Sequence, residues 1–378
     1  MAQSRSIVSE HDAASASIAK PVAPWRLFWR RFARHKLAGL GLAVVTLMYL
    51  VVAFGEFFAP ADAEAYDANF AYAPPQQVHF SIADADGTRF GLFAQEYQSS
   101  IDPDTFEITY ENVEGKFVPL GFFVQGFSYK LFGLFPTDRH FLGPTDAGSK
   151  VFLLGTDRLG RDTLSRMVVG TRISLTIGLV GVSIAVVLGL LLGGISGYFG
   201  GFADGVIQRT VELFMSIPSI PLWLGLAAAM PANWGALERY FAITVILAII
   251  GWTDLARVVR GRFLALRTQQ FVEAAYLDGA SPGRVIGRHM LPSLSSHLIA
   301  SITLSVPAMI LAETSLSFLG LGLQAPIISW GVLLQEAQNV RVVATAPWLL
   351  IPGLLVVIVV LALNLVGDGL RDAADPYT

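Results

Sequence analysis

Three carboxylates stand in or beside long apolar runs of this chain: Glu212, Asp254 and Glu313. A carboxylate among aliphatic side chains is costly, and by default it marks binding or proton transfer rather than packing. Covalent catalysis asks for more than this. The sequence holds no His-Glu-x-x-His, no Gly-x-Ser-x-Gly and, with zero cysteines, no thiol nucleophile or thiolate metal site. Its six histidines are scattered without metal-ligand spacing. The stretch "GGISGYFGG" (193–201) is glycine-rich but lacks the Lys-Ser/Thr of a phosphate loop, so ATP is not expected to bind here. No catalytic residue, metal ligand or cofactor is therefore assigned. Glu313, in "LAETSLSFLGLG", is the candidate for a substrate pathway, and a plain helix-end hydrogen bond explains it equally well.

A second stretch is built for contact rather than reaction. "EAAYLDGASPGRVIGRHMLP" (273–292) breaks the apolar pattern with small residues and a basic cluster, Arg284, Arg288 and His289. Glu273, Ala274 and Ala275 continue a helix begun near residues 268–271, and Asp278-Gly279 ends it, because glycine takes the left-handed terminating conformation cheaply. Ser281-Pro282 starts the next helix, with serine as N-cap and proline in the first helical position. Leu291-Pro292 marks the start of a further apolar run. The arginines forbid burial in lipid, so a re-entrant loop is the weaker reading. A short helix lying across a membrane face, small-sided enough for another protein to approach, is the better one.

The elements that position these residues follow from the apolar runs. Hydrophobic residues make up 53% of the 378 and charged residues 15%, against about 25% charged in a soluble domain. Runs near 37–58, 173–196, 206–230, 240–259, 294–318 and 347–367 are each long enough to span a bilayer. The first is read as a retained span, with signal-peptide cleavage as the alternative. Basic residues cluster before it (Arg26, Arg30, Arg31, Arg34, Lys36) and between the fourth and fifth runs (Arg257, Arg260, Arg262, Arg267, Arg284, Arg288). Six spans put both clusters on one side, the cytoplasm, with both termini there.

The chain thus divides into a cytoplasmic tail and interfacial amphipathic helix (1–36), a first transmembrane helix (37–58) and an extracytoplasmic insert (59–150). An interfacial helix (151–172), a five-helix core (173–367) with a cytoplasmic loop at 260–292, and a cytoplasmic C-terminus (368–378) complete it. In the insert Asp and Glu outnumber Lys and Arg by 13 to 5. "VHFSIADADGTRFGLF" reads as one hairpin, and "TFEITYENVEGKFVPL", alternating at Phe106, Ile108 and Tyr110 and turning at Asn112–Gly115, as another. The insert is expected to be small and mainly β. In 155–172, Asp157/Arg161 and Asp162/Arg166 have the i,i+4 order that supports a helix. Gly189, Gly193 and Gly197 repeat at the spacing that lets helices approach closely.

The 273–292 stretch resembles the EAA loop of inner-membrane permeases of bacterial ABC importers. Glu273, Ala274, Ala275, Gly279, Leu291 and Pro292 match its pattern. "RHMLP", with His289 where many members have isoleucine, is similar to the oligopeptide/dipeptide (OppC/DppC-like) branch. "LGTDRLGRD" (154–162), "ETSLSFLGLGLQAPIISWG" (313–331) and "PWLLIPG…NLVGDGLRDAADP" (347–376) agree with that branch, and the acidic insert is longer than the branch leads one to expect. The resemblance implies an all-α polytopic protein of the type I importer permease fold, in the bacterial inner membrane among its lipids. It would form half of a pathway for peptides or a related solute such as an oligosaccharide, opine or metal chelate. The implied partners are a homologous second permease, two ATP-binding subunits and an extracytoplasmic solute-binding protein, with no nucleic acid. Glu273, Ala274, Ala275, Tyr276, Asp278, Gly279 and Arg284 would meet the ATPase. An ion-gradient-driven secondary transporter is the alternative. It would want matched broken helices, and Pro218 and Pro221 offer a single break.

Overall fold

The computed structural model describes residues 24–374 apart from 85–86, 102, 104–107, 147 and 232. The N-terminal tail and Phe106 lie outside the described residues. Helix α1 (Pro24–Arg34) carries Trp25, Phe28, Trp29 and Phe32 at helical spacing, and their rings meet along it, Trp25 and Phe28 stacked and the other pairs edge-on. Phe32 is buried against Ala38 and Ala373, so part of the aromatic face serves packing within the chain. Helix α2 (Lys36–Ala53) starts at His35, whose Nδ1 accepts the Ala38 N–H at 3.0 Å. It stops short of the expected residue 58, because Phe54 leaves helical geometry (φ −117°, ψ 30°) before the short α3 (Gly55–Phe58).

Residues 78–144 form a four-stranded antiparallel meander: β1 (Val78–Asp84), β2 (Gly87–Ile101), β3 (Ile108–Leu131) and β4 (Phe135–Pro144). The β1–β2 pairing runs from Val78↔Ala94 to Asp84↔Gly87, as the first hairpin pattern predicts. The second pattern is corrected. Asn112–Gly115 makes no hairpin turn; it lies inside the long β3, where Gln95↔Phe117 is followed by Tyr97↔Asn112. The extra β3 residues bulge out, with Gly115 at φ +73° supplying the left-handed step. Polar turn-like residues thus bend a strand without ending it.

Helix α4 (Thr163–Phe199) corrects the reading of 151–172 as one interfacial helix. Asp157 Oδ1 accepts the N–H groups of Leu159 (2.8 Å) and Arg161 (3.0 Å), curling 157–161 into a turn. Asp162 caps α4 by accepting from Ser165 N at 2.7 Å. Arg166, expected to pair with Asp162, reaches the Asp157 carboxylate at 3.4 Å instead. The charges marked a knotted loop that leads into the helix. Burial pushes the Asp162 carboxyl up to about 6, partly opposed by its bonds from Ser165.

The third apolar run is divided into helices α5 (Gly201–Ser216) and α6 (Ser219–Ala228), which meet at a 90° bend. Helix α7 (Ala236–Leu266) leads through α8 (Gln270–Leu277) and the short α9 (Pro282–Arg284) and α10 (Leu291–Ser293) to α11 (Ser295–Phe318). Small helices α12 (Trp330–Gln335) and α13 (Val340–Thr345) precede α14 (Ile351–Ala374). Among the described residues five helices are long and apolar enough to cross a membrane, or six if the bent pair counts as one span. The core lies where α4, α7, α11 and α14 converge on Leu175, Ile243, Ile310 and Trp330. Glycines let α4 and α7 close on each other. A β-carbon on Gly193 would come within 2.5 Å of the Ala256 carbonyl oxygen, and one on Gly197 within 2.6 Å of Phe263 Cβ.

Candidate functional site

Helix α8 is held by one face and presents the other. Val272 and Ala275 are buried with Tyr198, Phe263, Val285 and Met290. Glu273, Ala274, Tyr276, Leu277 and Asp278 are exposed, and Leu277 is 89% accessible. Of the two alanines, then, Ala274 faces outward and Ala275 fills the core. Glu273 sits in the first turn, where a carboxylate complements the helix dipole.

The end of α8 is a Schellman turn. Ala280 N–H bonds back to Ala275 O and Gly279 N–H to Tyr276 O, both at 3.0 Å, with Gly279 at φ +74°. No atom lies within 4 Å of where a Gly279 β-carbon would stand, so glycine is favoured there for its backbone conformation alone. Ser281 then occupies the N-cap position through its backbone. Its carbonyl accepts from Arg284 N (2.9 Å) and Val285 N (3.0 Å), while its side chain makes no capping bond. Arg284 is exposed beside this second helix start.

Two polar links, neither visible from local sequence, tie this loop to the spans. Tyr276 and Tyr198 share a hydroxyl hydrogen bond of 2.5 Å, joining α8 to the end of α4. Asp204, at the start of α5, takes Arg260 of α7 at 2.6 and 2.7 Å through both carboxylate oxygens. A planar guanidinium gripping both oxygens fixes direction as well as distance. The partners stand 78 and 56 residues apart, and the tyrosine pair carries no charge pattern to announce it.

The three carboxylates separate cleanly. Glu212 is exposed and paired with Arg209 at 2.6 Å. Glu313 is fully buried, taking hydrogen bonds from Ser317 and Ser329 (2.9 Å each) and Ser174 (3.4 Å). Ser174 Oγ accepts the Trp330 N–H in turn, so Glu313 ties α4, α11 and the start of α12 together. Asp254 alone of the three lines a cavity of about 600 Å³ between α7, α11 and the α5–α6 bend, with Trp223, Thr253, Ser301, Ser305 and Met309. Glu313 is absent from that lining, although its neighbour Ala312 belongs to it.

Residues 185–378 match the family described as binding-protein-dependent transport system inner membrane component, and residues 23–75 the N-terminal transmembrane domain of oligopeptide transport permease C. The oligopeptide transport system permease protein OppC of Haemophilus influenzae is 40% identical over 234 residues, 62% of this chain and 72% of that protein. The glutathione transport system permease protein GsiD of Pectobacterium atrosepticum is 31% identical over 93% of this chain and 91% of its own. A solved structure of the MetNI methionine ABC transporter aligns over 55% of this chain and 96% of its own at 20% identity, with a TM-score of 0.44. The chain belongs to the family of inner-membrane components of binding-protein-dependent transport systems.

Proposed function

We propose that this permease subunit forms half of the pathway by which an ABC importer carries peptides or a chemically related solute across the inner membrane. Relatives along most of its length are named peptide, dipeptide and glutathione permeases, and the ion-gradient alternative finds no support among them. A solute-binding protein delivers the cargo, a second permease completes the pathway, and ATP-binding subunits supply the energy. The chain adopts the type I importer arrangement, with α5 and α6 as one broken span, both termini in the cytoplasm and the sheet outside.

The observation that carries the coupling reading is the geometry of α8. Its outer face, with Glu273, Ala274, Leu277 and Asp278, stands clear of the core, while Val272 and Ala275 anchor its inner face. A helix held this way transmits a push. Closure of the ATPase moves α8, the Tyr276–Tyr198 bond passes the movement to α4, and the Asp204–Arg260 pair makes α5 and α7 follow. The glycine-packed α4–α7 pair then shifts against α11, reshaping the cavity that holds Asp254. Glu313 is a brace in this scheme, away from the solute. Exchanging Glu273 for lysine tests it: the complex should assemble and hydrolyse ATP while solute uptake falls. Wild-type uptake in that variant, with the ATPase bound, sinks the assignment.

A further inference from the structure

The β3–β4 turn, at Phe132–Leu134, carries an aromatic concentration that neither the coupling loop nor the cavity uses. Phe132 (57%), Leu134 (73%) and Phe135 (64%) are exposed at it, and Phe122 (57%) and Phe123 (62%) are exposed farther along the same hairpin, where Phe122 pairs with Leu142. Two of them are held in a backbone conformation that β-carbons disfavour, Phe123 at φ 57° and Phe132 at φ 55°. Large apolar side chains exposed along one hairpin of a sheet mark an interaction surface.

The contacts of the turn fix its depth. Helix α2 has 18 residues, about 27 Å at 1.5 Å per residue, close to the thickness of the hydrocarbon core. Arg34 and Lys36 mark one end of it; the other end is Phe54. Two residues on, Glu56 takes two hydrogen bonds of 2.7 Å from Arg172, a charged pair suited to the headgroup layer. Phe54 therefore sits at the edge of the hydrocarbon, and the Phe132 ring rests against it at 5.4 Å. Phe57 touches Phe123 at 6.0 Å, and buried His140 lies 2.9 Å from both Glu56 O and Phe127 O. The sheet cannot lift this turn away from the end of the span without breaking those contacts. Lys130 and Arg139 flank the aromatics from exposed positions, Arg139 donating one N–H to the Phe123 carbonyl at 3.1 Å and keeping its other donors outward, as cations do when they reach lipid phosphates beside an apolar anchor.

We propose that the β3–β4 turn is a lipid anchor. It seats Phe132, Leu134 and Phe135 in the leaflet at the C-terminal end of α2, with Phe122 and Phe123 above them on the hairpin and Lys130 and Arg139 toward the phosphates. The sheet is thereby tethered to the bilayer at both ends of its sequence and at its tip. The reading rests on the membrane location of the chain and is independent of the solute.

Because the chain has no cysteine, a single Leu134→Cys carries an environment-sensitive nitrobenzoxadiazole label without ambiguity. Phe135→Cys is the second position, and Glu111→Cys, on the exposed part of β3 away from the turn, is the control. The full chain, co-assembled with its partner subunits, is reconstituted into phosphatidylethanolamine/phosphatidylglycerol vesicles containing 5-doxyl phosphatidylcholine. At 134 and 135 the labels should lose at least half their emission to the doxyl lipid and resist aqueous iodide, and at 111 the reverse should hold. Quenching of 134 and 135 by iodide alone overturns the proposal, since the turn then stands in water. Protection from both quenchers overturns it too, because a protein partner then covers the turn.

Discussion

Replacing Gly279 separates the conformation of the turn after α8 from the space around it. In Gly279→Ala the new β-carbon meets nothing within 4 Å, so the cost is that of a side chain at φ +74°. A left-handed conformation costs ~1–2 kcal/mol. Against this stands the burial of Val272, Val285 and Met290, all fully buried, each worth ~1.5–3 kcal/mol. The loop keeps its shape and uptake should persist, somewhat reduced. Gly279→Pro is different in kind. The ring fixes φ near −65°, the N–H to Tyr276 O is lost and the Schellman turn cannot form. A penalty of ~3 kcal/mol leaves competent loops about 100-fold rarer. The assay is peptide uptake and ATP hydrolysis by the reconstituted complex, with co-purification of the ATP-binding subunit as the check on assembly. Alanine should transport and proline should not. Equal loss in both would show that the absence of a side chain matters for contact, and would refute the conformational reasoning. Wild-type uptake in the proline variant, with the ATPase bound, would refute the coupling role itself.

Removing the Tyr276 hydroxyl deletes one link only: Tyr276→Phe should cost ~0.5–1.5 kcal/mol of coupling and lower the uptake per ATP hydrolysed, with thermal stability little changed. Gly193→Val forces a side chain into the Ala256 carbonyl and should abolish accumulation of folded chain, whereas Gly205→Ala, with open space around it, should accumulate normally on a fluorescence size-exclusion assay. A cysteine at exposed Glu111 should react with a membrane-impermeant maleimide from outside the inner membrane, and one at exposed Leu277 only after the membrane is opened; the opposite pattern inverts the orientation. Asp162 sets a pH dependence. Its folded value, about 6, lies above the ordinary 3.8, so its contribution is fully present below that lower value and is lost as pH rises through 6, by ~3 kcal/mol at most. Detergent-solubilised protein should lose melting temperature between about pH 4 and 6, the interval set by those two values, and Asp162→Asn should flatten that loss.

What the sequence disclosed and what it hid divide along a physical line. Spans, caps and turns were legible because their causes are local: apolar runs set α2, α4, α7 and α14, and Gly279 and Pro282 punctuate the α8 loop. Even the glycine repeat at 189, 193 and 197 announced a close approach, though not that α7 would be the partner. Where local patterns misled, a distant partner had taken over the same residues. Asp157 and Arg166 belong to one ion-pair network instead of a helical ladder, and Asn112–Gly115 bulges because β2 continues to pair on either side of it. Glu313 makes the point most sharply. Its apolar setting made it a suspect for solute contact, yet Ser174 and Ser329, brought from far along the chain, supply the donors that make its burial tolerable. A buried carboxylate that already has three hydroxyl donors has little left to offer a passing solute. Asp254 lines the cavity instead, beside Trp223, Thr253, Ser301, Ser305 and Met309.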